Sequence, residues 1–177
     1  MASFSHSGTV IFALLGCNTI YYILAGRFSE ALESVAWYVL LILFVLETTH
    51  QRYSNVRWVL AANRGARLLA TLAIAMTAVL YVREREWLDA SNLFLWMAVV
   101  ALLEIEVWRP HAVTTHRRAF IIAATSLYTA LGVLVFVWLA LGKWMNAWDA
   151  TLWLAAFSLL ELQMLNLSDI RLYFKNK

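Results

Sequence analysis

The sequence predicts an all-α polytopic membrane protein with six transmembrane helices, arranged as three consecutive helical hairpins. Of its 177 residues, 63% are hydrophobic and 14% are charged, and the mean hydropathy is +0.69. A soluble globular domain has about half apolar and about a quarter charged residues. The chain has one proline and six glycines, so long flexible linkers are not expected. These observations favour a single transmembrane domain over residues 1–177.

Six apolar segments are long enough to cross a bilayer, whose hydrocarbon core of roughly 30 Å needs about 20 helical residues. The predicted spans are Thr9–Gly26, Leu32–Thr49, Arg67–Val82, Ser91–Trp108, Ala119–Gly142 and Ala150–Leu167. Within each hairpin we expect a tight, partly acidic turn. These turns are Arg27–Ala31, Arg83–Ala90 and Lys143–Asp149. Longer basic segments connect one hairpin to the next.

The distribution of basic residues predicts the orientation. Ten of the 14 lysines and arginines lie in the two connections between hairpins and in the C-terminal segment, and four lie in the turns within hairpins. Cytoplasmic segments of membrane proteins carry the excess of lysine and arginine. We therefore expect both termini in the cytoplasm, and a multi-pass protein of a bacterial inner (plasma) membrane.

Two further groups of residues are expected to contact the lipid. The basic segments 52–67 and 109–118 would attract anionic lipid at the inner face. Five tryptophans lie near the predicted ends of spans, where indole rings anchor in the headgroup region. These interface anchors are Trp58, Trp87, Trp108, Trp144 and Trp148.

An internal repeat is suggested by three glutamates, Glu47, Glu104 and Glu161, which recur along the chain with a constant period of 57. Each follows two apolar residues, and a polar residue occurs two positions later in each segment. The period predicts a triplication, with hairpin repeats at about 4–60, 61–117 and 118–174. The alternative is that apolar helices with an acid near one end have become similar independently.

The same glutamates are the candidate proton- or cation-binding residues. A carboxylate at the centre of a bilayer costs about 2.5–3.5 kcal/mol on insertion scales, so it must be protonated, paired or exposed to a polar cavity. Glu161 lies about 16 Å beyond the start of its predicted span at Ala150. Glu47 and Glu104 lie nearer the inner boundary, where a neighbouring arginine can pair with them.

Other polar residues could support these glutamates. Ser158 and Asn166 lie near the helical face of Glu161, and Glu106 and Gln163 each follow a glutamate by two residues. The open alternative for Glu161 is a structural hydrogen bond between helices.

A metal site is a weaker hypothesis. Glu47 and His50 form an ExxH pair on one helical face, as in diiron carboxylate bundles. Those bundles need a second ExxH pair, but Val107 and Met164 stand where its histidine would be. Cys17 is the only cysteine, so no internal disulfide or CxxC site is available.

The sequence contains no cofactor motif, so the cofactor is unknown and enzymatic activity is not expected. Trp144-Met145-Asn146-Ala147-Trp148-Asp149, followed by Leu160-Glu161, resembles the third helix of voltage-sensor domains. The resemblance is confined to this short stretch, and the arginine-rich fourth helix of that family has no counterpart in this sequence. The resemblance therefore implies no function for this chain.

Two functions remain. The first is a non-catalytic accessory or structural subunit in a larger membrane complex, because short connections leave little surface for a soluble substrate. The alternative is a small proton or cation channel or transporter that uses Glu47, Glu104 and Glu161. The expected partners are the lipid bilayer and other membrane subunits or further copies of the chain, with no nucleic acid.

Overall fold

The computed structural model describes the backbone of residues 6–49, 57–108 and 110–175, and the side chains of residues 8–46, 61–103, 105, 111, 113 and 115–159. Every regular element in these ranges is a helix. The helices are α1 (His6–Ala25), α2 (Phe28–Thr49), α3 (Arg57–Glu84), α4 (Trp87–Trp108), α5 (Pro110–Thr115), α6 (Arg117–Ala140) and α7 (Trp144–Lys175).

The all-helical class is confirmed, and several helices are long and apolar enough to cross a membrane. Four helices are long and apolar enough to span a bilayer, over Gly8–Ala25, Phe28–Leu46, Ala61–Glu84 and Arg117–Ala140. In α4 the apolar stretch is shorter, over Trp87–Leu103. The predicted sixth span extends beyond residue 159 into side chains outside the described residues, so six spans remain a prediction.

The helices extend further than the apolar segments. Only Gly26 and Arg27 separate α1 from α2, and only Arg85 and Glu86 separate α3 from α4. The predicted turns included the acidic residues Glu30 and Asp89, but these lie in the first turns of α2 and α4. An acid in the first turn stabilises a helix through its interaction with the helix dipole. In the same way, α3 begins at Arg57, ten residues before the predicted span. Charge marks the edge of the apolar segment, not the end of the helix.

One helix was not predicted. The short α5, Pro110–Thr115, lies in the basic connection between α4 and α6. It begins at Pro110, and proline is favoured at the first position of a helix because the amide hydrogen it lacks would have no partner within the helix.

Two helices end in the same hydrogen-bonded motif. At the end of α3, Arg85 adopts a left-handed conformation (φ 60°), and the amides of Arg85 and Glu86 donate to the carbonyls of Val82 and Tyr81. At the end of α6, Gly142 adopts the same conformation (φ 71°). There the amides of Gly142 and Lys143 donate to the carbonyls of Leu139 and Trp138. These are Schellman caps, which satisfy carbonyls at a helix C-terminus.

The described residues fall into two compact units. The first comprises residues 16–117, in which α2 packs against α3 and α3 packs against α4. Its largest buried side chains include Trp37, Tyr81 and Trp96. Within this unit α1 approaches α2 closely, since a Cβ added to Gly16 would lie 2.7 Å from the Tyr38 hydroxyl oxygen. The buried Ser34 hydroxyl also donates to the Thr19 hydroxyl across these two helices, at 3.1 Å.

The second unit comprises residues up to 15 together with those from 118 onward. Its buried side chains come from both α6 and α7, and Trp138 is only 2% exposed. The rings of Trp153 and Phe157 lie one helical turn apart on α7, with centroids 6.3 Å apart.

Buried positions in α3 and α4 recur in α6 and α7 with the same period as the glutamates. Six pairs of residues related by this period of 57 are each no more than 7% exposed. The pairs are Ile74 and Leu131, Tyr81 and Trp138, Ala90 and Ala147, Leu93 and Ala150, Trp96 and Trp153, and Val99 and Ala156. The left-handed cap residues Arg85 and Gly142 are related by the same period.

The bounds of α1 and α2 are offset by two residues from this period. Helices α1 and α3 end at Ala25 and Glu84, which are 59 residues apart. Helices α2 and α4 begin at Phe28 and Trp87, which are also 59 residues apart. Glu104 and Glu161 are each the eighteenth residue of their helix, whereas Glu47 is the twentieth residue of α2. By helix position, Glu47 therefore corresponds to Glu106.

Candidate functional site

The main polar site in the described part of the chain is centred on Arg27, in the turn between α1 and α2. Its backbone amide donates to Glu30 Oε2 at 2.8 Å. Glu30 is the third residue of α2, a position from which a glutamate can reach back and cap the amide that precedes the helix. This hydrogen bond fixes the backbone of Arg27 independently of the contacts made by its side chain.

The Arg27 guanidinium contacts four carboxylates. Nη2 donates to Glu30 Oε1 at 2.9 Å and to Asp89 Oδ2 at 3.0 Å. Nη1 lies 2.8 Å from Glu86 Oε1 and 3.6 Å from Glu84 Oε2. Three of these acids come from the end of α3, the following turn and the start of α4. We call these five residues the Arg27 cluster.

Asp89 is the buried member of the Arg27 cluster. Its side chain is 4% exposed, whereas the Arg27 side chain is 38% exposed. Asp89 is the third residue of α4, as Glu30 is of α2, so both carboxylates also face the positive end of a helix dipole. A buried carboxylate needs a paired charge, and Arg27 provides it.

Two hydroxyl groups extend the network along α2 and α3. The Ser29 hydroxyl, which is fully buried, donates to Glu84 Oε2 at 2.9 Å. The Tyr81 hydroxyl, one turn before Glu84, donates to Glu33 Oε2 at 2.5 Å. The first turns of α2 are thus bonded to the last turns of α3 through side chains of both helices.

The surroundings of Arg27 change its pKa. Partial burial lowers the pKa of the guanidinium, but the hydrogen bond and charge of Glu30 and the charges of Glu86 and Asp89 raise it by more. The net effect is a pKa above the ordinary value for arginine. Arg27 is therefore positively charged at every pH at which the protein can be studied.

The ion pairs and hydrogen bonds of the Arg27 cluster connect the α1–α2 turn to α3 and α4. One guanidinium joins the α1–α2 turn to the α3–α4 turn, and these turns lie at the same end of the first unit. Four carboxylates around one arginine leave a local excess of negative charge. Even so, no group of three or more histidine, cysteine, aspartate or glutamate residues within the described ranges could hold a metal ion.

The predicted glutamates are placed along their helices, but their contacts are not described. Glu47 lies in the last turn of α2, Glu104 in the last two turns of α4, and Glu161 in the second half of α7. Their side chains lie outside the described residues. The same holds for the supporting residues Glu106, Gln163 and Asn166. That these side chains meet stays a prediction.

Of the remaining predicted site residues, Ser158 is exposed on α7. His50, the partner of Glu47 in the metal hypothesis, lies outside the described residues. Trp87 and Trp144 are the first residues of α4 and α7 and are 62% and 68% exposed, and Trp148 is 49% exposed. Trp58 and Trp108 lie at the start of α3 and the end of α4, but their side chains are not described.

The sequence interpretation missed the Arg27 cluster because it treated Arg27 only as one of the few basic residues in the turns. A signal was available. Glu30 and Asp89 lie in the two tight turns that the sequence predicts on the same side of the membrane. An arginine beside one of them is the expected neutralising partner.

Comparison with protein-family models, with curated proteins and with solved structures finds no match to this chain.

Proposed function

We propose that this chain is a non-catalytic integral membrane protein that packs as a small accessory subunit in a larger membrane complex. The observation that carries the proposal is the Arg27 cluster, in which the charged groups at one end of α1–α4 are used to join helices to each other. Groups paired in this way are not presented to a substrate.

The exposed surface supports the same proposal. Large apolar side chains are exposed on each of the four candidate spans, for example Leu24 (80%), Leu69 (68%) and Phe136 (72%). Such faces contact lipid or the helices of neighbouring subunits. A membrane protein that provides packing surface needs these faces and an internally rigid arrangement of helices, and the Arg27 cluster supplies that rigidity.

The test is to purify the tagged chain in a mild detergent and determine its composition by native mass spectrometry. A larger assembly with fixed stoichiometry is expected, and Arg27→Gln should reduce the recovery of that assembly. Arg83→Gln, which changes an exposed arginine before the α3–α4 turn, is the matched control. Recovery of the chain without any stoichiometric partner protein would argue against an accessory role.

A second candidate function is proton or cation transport. It is favoured by the position of Glu104 and Glu161 at the same residue of α4 and α7, in two hairpins whose buried positions share the period of the glutamates. We infer that the second and third hairpins are repeats of one unit. The first hairpin belongs to the same series if two residues were gained between α2 and α3. Repeated intramembrane acids occur in transporters.

Transport can be tested with the chain in liposomes that contain a pH-sensitive dye. If the second candidate is right, proton flux exceeds that of empty liposomes and Glu161→Gln abolishes it. If the chain is an accessory subunit, the wild-type protein and Glu161→Gln both match empty liposomes.

We also propose that both termini are cytoplasmic in a bacterial inner membrane. The support is the excess of lysine and arginine in the connections between hairpins. This orientation would place the Arg27 cluster on the outer side of that membrane.

A further inference from the structure

Five side-chain contacts attach the α1–α2 turn and the first turns of α2 to α3 and α4, and a carboxylate takes part in each. The contacts are those of Arg27 with Glu84, Glu86 and Asp89, of Ser29 with Glu84, and of Tyr81 with Glu33. The strength of this attachment therefore depends on whether acidic side chains are ionised. The contact between α1 and α2 from Ser34 to Thr19 joins two hydroxyl groups and has no such dependence.

The charged and titratable groups at this end of the first unit come from the α1–α2 turn and from α2, α3 and α4. They are Arg27, Glu30, Glu33, Tyr81, Glu84, Glu86 and Asp89, with the exposed Arg83 and Arg85 beside them in sequence. The last turns of α1 contain no charged residue. One guanidinium is thus shared by four carboxylates, and the fifth, that of Glu33, accepts a hydrogen bond from Tyr81.

Acidification changes the carboxylates but not the guanidinium. Arg27 stays positively charged, whereas free aspartate and glutamate side chains take up a proton near pH 4. A protonated carboxyl group forms no ion pair, and its neutral hydrogen bonds are about half as strong as those of a carboxylate. Arg27 would then lack an anion, and its side chain, which is 38% exposed, can turn toward water.

Further along the same helices the packing does not depend on protonation. Helix α2 packs against α3, and the buried side chains in this part of the two helices are uncharged. Ala36, Trp37, Ala70 and Ile74 are each no more than 8% exposed. Burial of apolar surface is not altered by the uptake of protons elsewhere. Loss of the contacts at the turns can therefore leave α2 and α3 together.

We propose that the five contacts form an acid-sensitive latch. At neutral pH the latch holds the α1–α2 turn against the α3–α4 turn, and acidification releases these turns from each other while α2 stays packed on α3. Carboxylates that are paired in the folded protein contribute to the free energy of unfolding at neutral pH, and this contribution is lost as they take up protons. The latch needs only contacts within the first unit, so it does not depend on the accessory role.

The first test measures distances between pairs of spin labels by pulsed electron paramagnetic resonance. Labels on Phe28→Cys and Trp87→Cys report on the two turns, because these exposed residues begin α2 and α4. Labels on Leu46→Cys and Leu72→Cys, at exposed residues away from the turns, report on α2 and α3 as a control. Both pairs are made in a Cys17→Ser background, which removes the only native cysteine.

Between about pH 7 and about pH 3, the distance between the labels at positions 28 and 87 should lengthen by several ångströms. The distance between the labels at positions 46 and 72 should stay the same. If the first distance did not lengthen, there would be no latch. If both distances lengthened, the protein would be unfolding in acid, and this result would also overturn the proposal.

The second test imitates protonation at neutral pH. In the variant Glu84→Gln, Glu86→Gln, Asp89→Asn, three carboxylates are replaced by uncharged amides of similar shape. The distance between the labels at positions 28 and 87 should already be long at pH 7 and should not lengthen further in acid. The control Arg83→Gln, which changes an exposed charge outside the five contacts, should behave as the wild type does.

A wild-type distance in the triple variant at pH 7, or equal lengthening in Arg83→Gln, would overturn the proposal. The labels at positions 46 and 72 check that the triple variant is folded. Arg27→Gln provides a second variant that keeps the acids and removes their cation. Its turns should be apart at pH 7, because the remaining carboxylates repel each other, and should not move further apart in acid. Lengthening on acidification like that of the wild type would exclude Arg27 from the latch.

Discussion

Arg27 stabilises the fold because of the residues it meets and not because of how deeply it is buried. Its side chain is 38% exposed, yet it is the partner of Asp89, which is only 4% exposed. Loss of Arg27 removes a cationic partner of a buried carboxylate, and this loss is more unfavourable than that of an exposed ion pair. The largest effects of substitution are therefore expected at the residues that satisfy buried polar groups.

The variant Arg27→Gln should lower the free energy of unfolding by about 1–2 kcal/mol, which allows for the partial exposure of the arginine. Intrinsic tryptophan fluorescence during detergent unfolding measures it. Because the pKa of Arg27 is raised in the folded protein, its contribution to the free energy of unfolding is fully present below the ordinary pKa of arginine and is lost only above it. The difference in the free energy of unfolding between wild type and Arg27→Gln should therefore be constant from about pH 7 to about pH 10.

The control for this variant is Arg83→Gln. Arg83 is exposed, so its replacement should change the free energy of unfolding by less than about 0.5 kcal/mol. If the two variants were equally stable, the Arg27 cluster would not contribute to the fold.

A second prediction concerns Tyr81, which is 2% exposed and donates its hydroxyl to Glu33. Tyr81→Phe keeps the ring but removes the donor, so the free energy of unfolding should fall by about 1–2 kcal/mol. The matched control is Tyr21→Phe, because Tyr21 is 42% exposed. Equal losses for both variants would indicate an effect of the hydroxyl on something other than the contact with Glu33.

Among the elements, the helix ends differ most from what apolar segments suggest. Predicted spans end where hydropathy falls, but α3 continues past its apolar segment until the backbone conformation changes. That change occurs at Arg85, a residue with a side chain in a conformation that usually requires glycine. At the end of α6 the equivalent residue is Gly142.

This difference between the two caps predicts opposite effects of substitution. Arg85→Gly should raise the free energy of unfolding by about 0.5–1 kcal/mol, because relief of the left-handed strain exceeds the added entropy of the unfolded chain. Gly142→Ala should lower it by about 1 kcal/mol. Thermal unfolding in detergent measures both.

Arg85→Ala separates strain from charge in this experiment. It removes the arginine charge but keeps a Cβ in the left-handed conformation, so no gain in stability is expected. If Arg85→Ala were as stabilising as Arg85→Gly, the cause would be the charge and not the backbone.

At the scale of the whole molecule, the Arg27 cluster and the basic residue Arg64 lie towards opposite ends of α3. Glu84 ends α3 in the cluster, and Arg64 lies on the same helix about 30 Å away, at 1.5 Å per residue. This distance equals the thickness of the hydrocarbon core of a bilayer. The described part of α3 is thus long enough to place one charged end at each face of the membrane.

The orientation can be measured with a membrane-impermeant thiol reagent on intact cells. In the Cys17→Ser background, Arg85→Cys in the α3–α4 turn should react from outside, and Ser3→Cys should react only after the membrane is opened. The reverse labelling would place the termini outside and show that the distribution of lysine and arginine was misinterpreted.

The sequence by itself determined the helical class and four segments long and apolar enough to span a bilayer, because a helix satisfies its backbone hydrogen bonds locally and hydropathy is a local property. It also indicated the period of the glutamates, which the buried positions of α3, α4, α6 and α7 share. It did not predict that Glu47 is the twentieth residue of its helix while Glu104 and Glu161 are the eighteenth, because a glutamate can be moved by two residues without altering the apolar pattern.

Only the tertiary structure decided which charges meet. Arg27 and Asp89 are 62 residues apart in sequence, and their contact depends on two tight turns lying side by side. No local pattern encodes that distance, because the energy of an ion pair depends on separation in space and on burial.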